Sequence, residues 1–131
     1  MIHKHVLVTT RVRQPPRTGF SWVDRRFIHQ FAPQLSQEAI LLYFFLASVS
    51  DKHGLSYYRD DSMASRLRIR QTDLLEARDE LLRHDLVAYE APLTQVLSLP
   101  PARRKRQGGL QALGEIFRQA CRDQTDRTNG Q

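Results

Sequence analysis

The sequence predicts a mainly helical α+β fold with one small β-sheet, and three stretches carry this prediction. Residues 60–69 and 70–84 both show the apolar spacing of an amphipathic helix, and a tight turn joins them. Residues 85–99 then have the pattern of two short strands around an Ala-Pro turn. Because 131 residues with 40% hydrophobic content suffice for one core, we expect a single domain over residues 21–99, with further segments at both ends.

The N-terminal segment, residues 1–20, is predicted to be an extended basic arm. It has four basic and no acidic side chains. Val6 and Val8 alternate with their neighbours at strand spacing, and the two consecutive prolines that follow disfavour a helix. His3 and His5 could offer two imidazoles to a metal ion, but no third ligand follows nearby, so a solvated terminus is favoured.

The first two helices of the domain are predicted from their caps. Ser21 and Asp24 match a capping box, which predicts a short helix that starts there and ends at Pro33. Ser36 is the expected N-cap of a longer helix that runs to about residue 50. This second helix is apolar nearly all round, as is typical of the buried centre of a small domain.

The paired helices that follow are expected to pack through one face each. A short strand over residues 55–58 should pair with the later hairpin, and Asp60 and Asp61 are interpreted as caps of the first helix. Steps of 100° along the second helix place five positions on one side, of which Leu74, Ala77 and Leu81 should face the core. The positions on that side are Leu74, Ala77, Arg78, Leu81 and Leu82.

The chain after the domain divides into three predicted segments. Residues 100–109 combine prolines, paired glycines and a basic run, which indicates a linker. Residues 110–122 have apolar side chains at helical spacing, which predicts an amphipathic helix, and residues 123–131 are expected to be disordered. The basic run is Arg103, Arg104, Lys105 and Arg106; the apolar positions of the helix include Leu110, Leu113, Ile116 and Phe117.

The order of helix, tight turn, helix and two-stranded hairpin resembles a winged helix-turn-helix. Over about residues 27–99 the chain is similar to the winged-helix domains of plasmid and phage replication initiators and of bacterial regulators. The resemblance is one of hydrophobic spacing, so it specifies the fold better than the function. The stretches that carry it are residues 35–43, 51–54, 57–58, 63–69 and 84–87, together with Leu74, Ala77 and Leu81.

The resemblance implies that the helix over residues 70–84 enters the major groove of double-stranded DNA with its N-terminal end. Arginine and glutamine there can form paired hydrogen bonds with base edges, and nearby arginines can contact phosphates. The predicted DNA-binding residues are Arg66, Arg68, Arg70, Gln71, Thr72 and Arg83, and the linker residues Arg103, Arg104, Lys105 and Arg106. The context it suggests is transcription regulation or replication on a plasmid, phage or mobile element.

The charge distribution also favours a polyanionic partner. The net charge is +6, of which residues 1–20 and 100–131 contribute +4 each, whereas residues 21–99 contribute −2. A duplex would therefore be attracted mainly by the two ends of the chain, and the attraction should weaken with salt. The alternative is that these basic ends only keep the domain soluble.

Several features favour a different use of the same fold. Asp73 and Glu76 lie on or beside the proposed groove face, Arg70 stands where a small N-cap residue is expected, and the wing turn has no basic residue. A protein-interaction adaptor therefore remains an alternative, with Asp79 and the tail helix as contact surfaces. That helix could pair two chains into a homodimer, bind another protein or fold back on its own domain.

Aromatic side chains offer a weaker indication of nucleic-acid contact. Trp22, Tyr57 and Tyr58 could stack on bases. For Trp22 a place at the edge of the core is the more common use. Because successive strand side chains face opposite sides of a sheet, one of the two tyrosines is expected in the core.

An enzyme and a membrane protein are not expected. No acid–base pair, nucleophile arrangement or metal-ligand spacing stands out, so we expect no catalytic activity and no cofactor. Cys121 is the single cysteine and cannot form an internal disulfide. With no secretory signal pattern and no apolar run of membrane-spanning length, the sequence predicts a cytoplasmic protein.

Overall fold

Three α-helices and a three-stranded antiparallel sheet form the domain, which makes the fold α+β and mainly helical. The structure is a computed structural model that describes residues 2–101. The predicted basic run at 103–106, the tail helix at 110–122 and the polar end all lie outside the described residues. The elements are α1 (Gln37–Val49), β1 (Leu55–Tyr57), α2 (Asp60–Leu67), α3 (Gln71–Arg83), β2 (Val87–Glu90) and β3 (Leu93–Val96), with a π-helical segment at Phe27–Phe31 before α1.

The hairpin and its pairing with the earlier strand are confirmed. The strand order is β1-β3-β2, so β3 has a partner on each side. Thr94 pairs with Ser56 of β1 and with Tyr89 of β2. The turn before β1 approaches the same strand, because the Val96 N–H donates to the Gly54 carbonyl at 2.8 Å. The element order is thus compatible with a winged helix.

The core is built mainly between α1 and α3. Its largest fully buried side chains are Leu42, Met63, Leu74, Leu81 and Leu86. Burial of one such side chain stabilises the fold by roughly 1.5–3 kcal/mol. The predicted inward positions of α3 are confirmed for Leu74, Ala77 and Leu81, and Arg78 is buried with them. Leu82 differs, since 38% of it is exposed.

The predicted cap of α1 is confirmed, but its burial on all sides is not. The Ser36 hydroxyl oxygen accepts a hydrogen bond from the Ala39 N–H at 3.1 Å. Leu41 and Phe44 are 41% and 61% exposed, because α3 and the sheet cover only part of the helix surface. The apolar sequence of α1 therefore predicts more burial of the helix than the structure has.

The predicted capping box before α1 is wrong. The chain becomes helical only at Phe27, and Pro33 lies within a 3-10 turn, Ala32–Gln34, rather than after a helix. The Ser21 hydroxyl donates instead to the carbonyl oxygens at the end of α1, and Asp24 accepts the Arg26 N–H at 2.9 Å. The Ser21 side chain is thus engaged at the end of α1, whereas the Asp24 carboxylate bonds to Arg26, the residue directly before the helical segment.

The assignment of Asp60 and Asp61 as caps is also corrected. Arg59 occupies the N-cap position of α2, and both aspartates lie in the first helical turn. There they face the positive end of the helix dipole, which is favourable for carboxylates. Asp60 additionally forms an ion pair with Arg78 of α3.

The N-terminal segment makes little contact with the rest of the domain. Residues 2–20 are exposed throughout and contain one 3-10 turn, Thr9–Arg11, whereas Val6 and Val8 form no strand. Among the residues that the structure describes, no helix is both long enough and apolar enough to cross a membrane.

Candidate nucleic-acid interface

The turn between α2 and α3 exposes the first residues of α3. α2 ends at Leu67 because Arg68 takes the left-handed conformation, with φ of 61°, and its N–H bonds to the carbonyl oxygens of Ala64 and Ser65. α3 then begins at Gln71, and Gln71 and Thr72 are exposed while the next turn is anchored by buried Leu74. The N-terminal end of α3 is therefore open to a partner.

Arg70 and Asp73 form a closed pair at this end of the helix. The Arg70 Nε and Nη2 atoms donate to the two carboxylate oxygens of Asp73 at 3.0 and 3.1 Å, and its backbone N–H donates at 3.3 Å. These bonds lower the pKa of Asp73 and raise the pKa of Arg70. Arg70 can occupy the N-cap position of α3 because the Asp73 carboxylate accepts a hydrogen bond from its backbone N–H. The Arg70 guanidinium also neutralises the negative charge of the Asp73 carboxylate at this helix end.

Only part of the predicted contact set lies at the start of α3. Arg66 and Arg68 are exposed on the last turn of α2 and directly after it. Arg83 is exposed in the last turn of α3, twelve residues beyond Gln71, which is about 18 Å along a helix axis at 1.5 Å per residue. A partner must therefore span the helix to contact Gln71 and Arg83 together.

A shallow depression of about 360 Å³ joins the start of α3 to the hairpin. Gln71 lines it from α3, Tyr89 and Pro92 from the hairpin, and Tyr58 and Arg59 from the segment before α2. Sequence reasoning missed Arg59 and Tyr89, because neither belongs to the helix that the resemblance selects. The polar side chains of Arg59, which is exposed, and of Tyr89, which is half-buried, were the only signal that the sequence offered.

The two strand tyrosines are placed differently from the prediction. Tyr57 is 69% exposed, and Tyr58 is 37% exposed and packs edge-on against Phe45 with ring centroids 5.2 Å apart. Neither tyrosine is in the core, because β1 ends at Tyr57 and the alternation of strand side chains stops there.

Arg78 of α3 contacts both α2 and β2, the elements beside the exposed start of α3. Its Nη2 donates to Asp60 at the start of α2, and its guanidinium lies over the Tyr89 ring of β2 at 3.9 Å from the centroid. Since Arg78 is only 8% exposed, the cation is largely shielded from water, whereas the Asp60 side chain is 33% exposed. Arg78 thereby connects α3 to the start of α2 and to β2.

Glu80 connects the same helix to α1. Its two carboxylate oxygens accept from the Ser36 backbone N–H and hydroxyl, both at 2.7 Å. Partial burial opposes ionisation, but these hydrogen bonds, with nearby Arg83 and His84, hold the pKa of Glu80 below its ordinary value. The residues are 44 positions apart, so no local pattern revealed the contact.

The outer face of α3 is less suited to a polyanion. Glu76 and Asp79 are exposed, and Leu75 and Leu82 are 46% and 38% exposed beside them. This face therefore combines two negative charges with two exposed apolar side chains and carries no cation among these four positions.

No cluster of three or more metal-ligating side chains occurs within residues 2–101. No protein-family model matches the chain, and neither the curated proteins nor the solved structures contain a match to it. Any functional statement therefore rests on the geometry and chemistry of the residues described above.

Proposed function

We propose that this chain is a winged helix-turn-helix protein that binds double-stranded DNA through the first turn of α3. The observation that supports the proposal is the exposed pair Gln71 and Thr72 at the start of α3, where Gln71 also lines the depression at the hairpin. The exposed Arg66 and Arg68 precede this helix end closely in the chain. A free helix end of this kind can enter a major groove while flanking cations contact the backbone.

In this proposal the side chains have distinct roles. Gln71 and Thr72 face base edges, and the glutamine amide can pair with an adenine through two hydrogen bonds. Arg66, Arg68 and Arg83 contact phosphates. Arg70 contacts DNA with the donors that Asp73 leaves free, and its pairing with Asp73 lowers the electrostatic repulsion. The basic run at 103–106 adds phosphate contacts that do not depend on sequence.

Selection of binding sites from random duplex DNA, at two salt concentrations, tests the proposal. We expect an enriched sequence and binding that weakens with salt. Gln71→Ala should reduce discrimination at one base pair by roughly 5- to 100-fold. Gln37→Ala is the matched control, because Gln37 is also an exposed first residue of a helix, on α1, and should leave discrimination unchanged.

Two further variants separate readout from backbone contact. Replacement of Arg103, Arg104, Lys105 and Arg106 by glutamine should weaken binding to all duplexes alike and reduce the salt dependence, while Arg70→Ala should lower discrimination. Equal losses on every sequence from both changes would contradict the groove assignment, and so would a selection that enriches no sequence.

A second candidate function is supported by the outer face of α3. Exposed Leu75 and Leu82 beside Glu76 and Asp79 suit a protein-interaction adaptor. In that case duplex DNA should bind feebly and without preference even at low salt. A protein partner should be retained by the wild type and released by Leu75→Gln/Leu82→Gln, a substitution that adds no charge.

A further inference from the structure

A cavity of about 510 Å³ lies apart from the proposed DNA contacts. Its walls come from α1, the turn before β1, the segment after β3 and the aromatic segment around Trp22. None of Arg66, Arg68, Arg70, Gln71, Thr72 or Arg83 lines it. Its volume is in the range of small-molecule sites in proteins.

The Tyr43 hydroxyl supplies an unused hydrogen-bonding group in this cavity. Tyr43 is only 3% exposed, and its ring stacks on Phe27 with centroids 3.9 Å apart. Its hydroxyl forms no hydrogen bond with the described residues, although the side chain lines the cavity. Burial raises the pKa of Tyr43, and the Asp24 carboxylate contributes to the same shift. The phenol is therefore a neutral donor that is open to the cavity and that no described side chain or backbone group engages.

Two aromatic rings stand at the cavity without being packed into the core. Phe20 is 66% exposed and Trp22 is 76% exposed, yet both line the cavity. The sequence predicts Trp22 at the edge of the core, but the structure leaves this large apolar ring in contact with solvent. Exposed rings beside a cavity offer a stacking surface for a planar ligand, and stacking of a base on an aromatic side chain is a recurrent mode of recognition.

The cavity lining carries two carboxylates, Asp24 and Asp51, and two cations, Arg26 and Lys52. Asp24 accepts the Arg26 N–H and lies 3.8 Å from its guanidinium, while Asp51 accepts two backbone N–H groups. Arg26 donates to the carbonyl oxygens of Leu99 and Pro100. Lys52 forms no ion pair with any residue in the described part of the chain. An anionic group at the rim would therefore find Lys52 available.

We propose that this cavity binds a nucleotide, with the base stacked on Trp22, a polar edge of the base bonded to the Tyr43 hydroxyl and the phosphate near Lys52. The same chemistry is offered by a free mononucleotide and by an unpaired nucleotide within a strand. The inference does not depend on duplex binding by α3, since the two sets of residues do not overlap.

Trp22 provides a direct readout, because it is the only tryptophan of the chain. Its fluorescence is titrated with adenosine and guanosine 5′-monophosphates, with the matching nucleosides and with a short single-stranded oligonucleotide. Saturable quenching is expected. Tighter binding of a mononucleotide would identify a free ligand, and tighter binding of the oligonucleotide would identify a strand.

Variants then assign the contacts. Tyr43→Phe keeps the ring stack and should weaken binding about three- to tenfold, the effect of one hydrogen bond. Lys52→Gln, an exposed change that does not touch the core, should weaken the nucleotide but not the nucleoside. Tyr57→Phe, an exposed change outside the cavity lining, is the control and should bind as the wild type does. Absence of quenching at millimolar concentrations, or unchanged binding by both Tyr43→Phe and Lys52→Gln, would overturn the proposal.

Discussion

Arg78 lies over the ring of Tyr89, with the guanidinium carbon 3.9 Å from the ring centroid. The same guanidinium donates to Asp60, so one side chain joins α3 to the strand β2 and to the start of α2. These are the elements around the exposed end of α3. The geometry of the proposed interface therefore depends on a residue that is itself buried and takes no part in binding.

Replacement of this buried arginine should destabilise the domain. Arg78→Met keeps much of the side-chain volume but leaves Asp60 without its partner and removes the cation from Tyr89. We expect a loss of about 2–3 kcal/mol, below the full cost of breaking a buried pair because the Asp60 side chain is 33% exposed. Urea denaturation measures it. Arg83→Met, an exposed change in the same helix, is the control and should cost less than about 0.5 kcal/mol.

Ser36 and Glu80 should show coupled effects on stability. Ser36→Ala removes both the cap of α1 and a donor to Glu80, and should cost about 1–2 kcal/mol. Glu80→Gln weakens the charge-assisted bonds from Ser36. Because the two residues share these contacts, the double variant should lose about 1 kcal/mol less than the sum of the single losses. Strict additivity in a double-mutant cycle would show that the Ser36 hydroxyl and the Glu80 carboxylate are not energetically coupled.

Gly54 is required by its backbone conformation and by the strand beside it. Its φ is +84°, and an added Cβ would lie 2.5 Å from the Val96 carbonyl oxygen. Gly54→Ala should therefore cost about 2–4 kcal/mol, from left-handed strain and displacement of β3. Gly19→Ala separates these causes, because Gly19 has φ of +110° with no atom near the added Cβ. Thermal unfolding should show a much smaller loss for Gly19→Ala.

The Asp51 carboxylate should make stability depend on pH. The backbone N–H groups of Leu55 and His53 donate to it and lower its pKa below the ordinary value of 3.8. A carboxyl group whose pKa falls on folding adds stability above its unfolded pKa and loses that contribution as the pH falls through its folded pKa. Asp51→Asn should thus be less stable than the wild type at pH 7, and the difference should shrink below about pH 4. A difference that stays constant from pH 7 to pH 3 would contradict this.

The features of the fold that depend on local sequence patterns could be predicted from the sequence. The Ser36 cap, the hairpin and the inward face of α3 follow from residue types at short spacing, where propensity and periodicity act directly. The capping box at Ser21 and Asp24 failed although its residue types were right. Its side chains bond to distant or neighbouring backbone groups, and tertiary contacts outweigh a four-residue pattern.

The candidate site was predictable only in part. The exposed end of α3 with Gln71 and Thr72 follows from the order of helix, turn and helix. The pairing of Arg78 with Asp60 and that of Ser36 with Glu80 join residues 18 and 44 positions apart. Helical periodicity indicates that Arg78 faces inward. No spacing rule predicts that Asp60 pairs with it, although a buried cation needs such a partner to offset its desolvation. The cavity at Tyr43 depends on segments far apart in the chain and was invisible to such rules.

The central place of β3 has a consequence for how the chain is made. Both neighbours of this strand precede it in sequence, so neither can find a hydrogen-bonding partner until residues 93–96 have been synthesised. A nascent polypeptide that has left the ribosome only as far as Pro92 lacks the strand with which both β1 and β2 pair. The sheet can therefore be completed only after β3 has emerged.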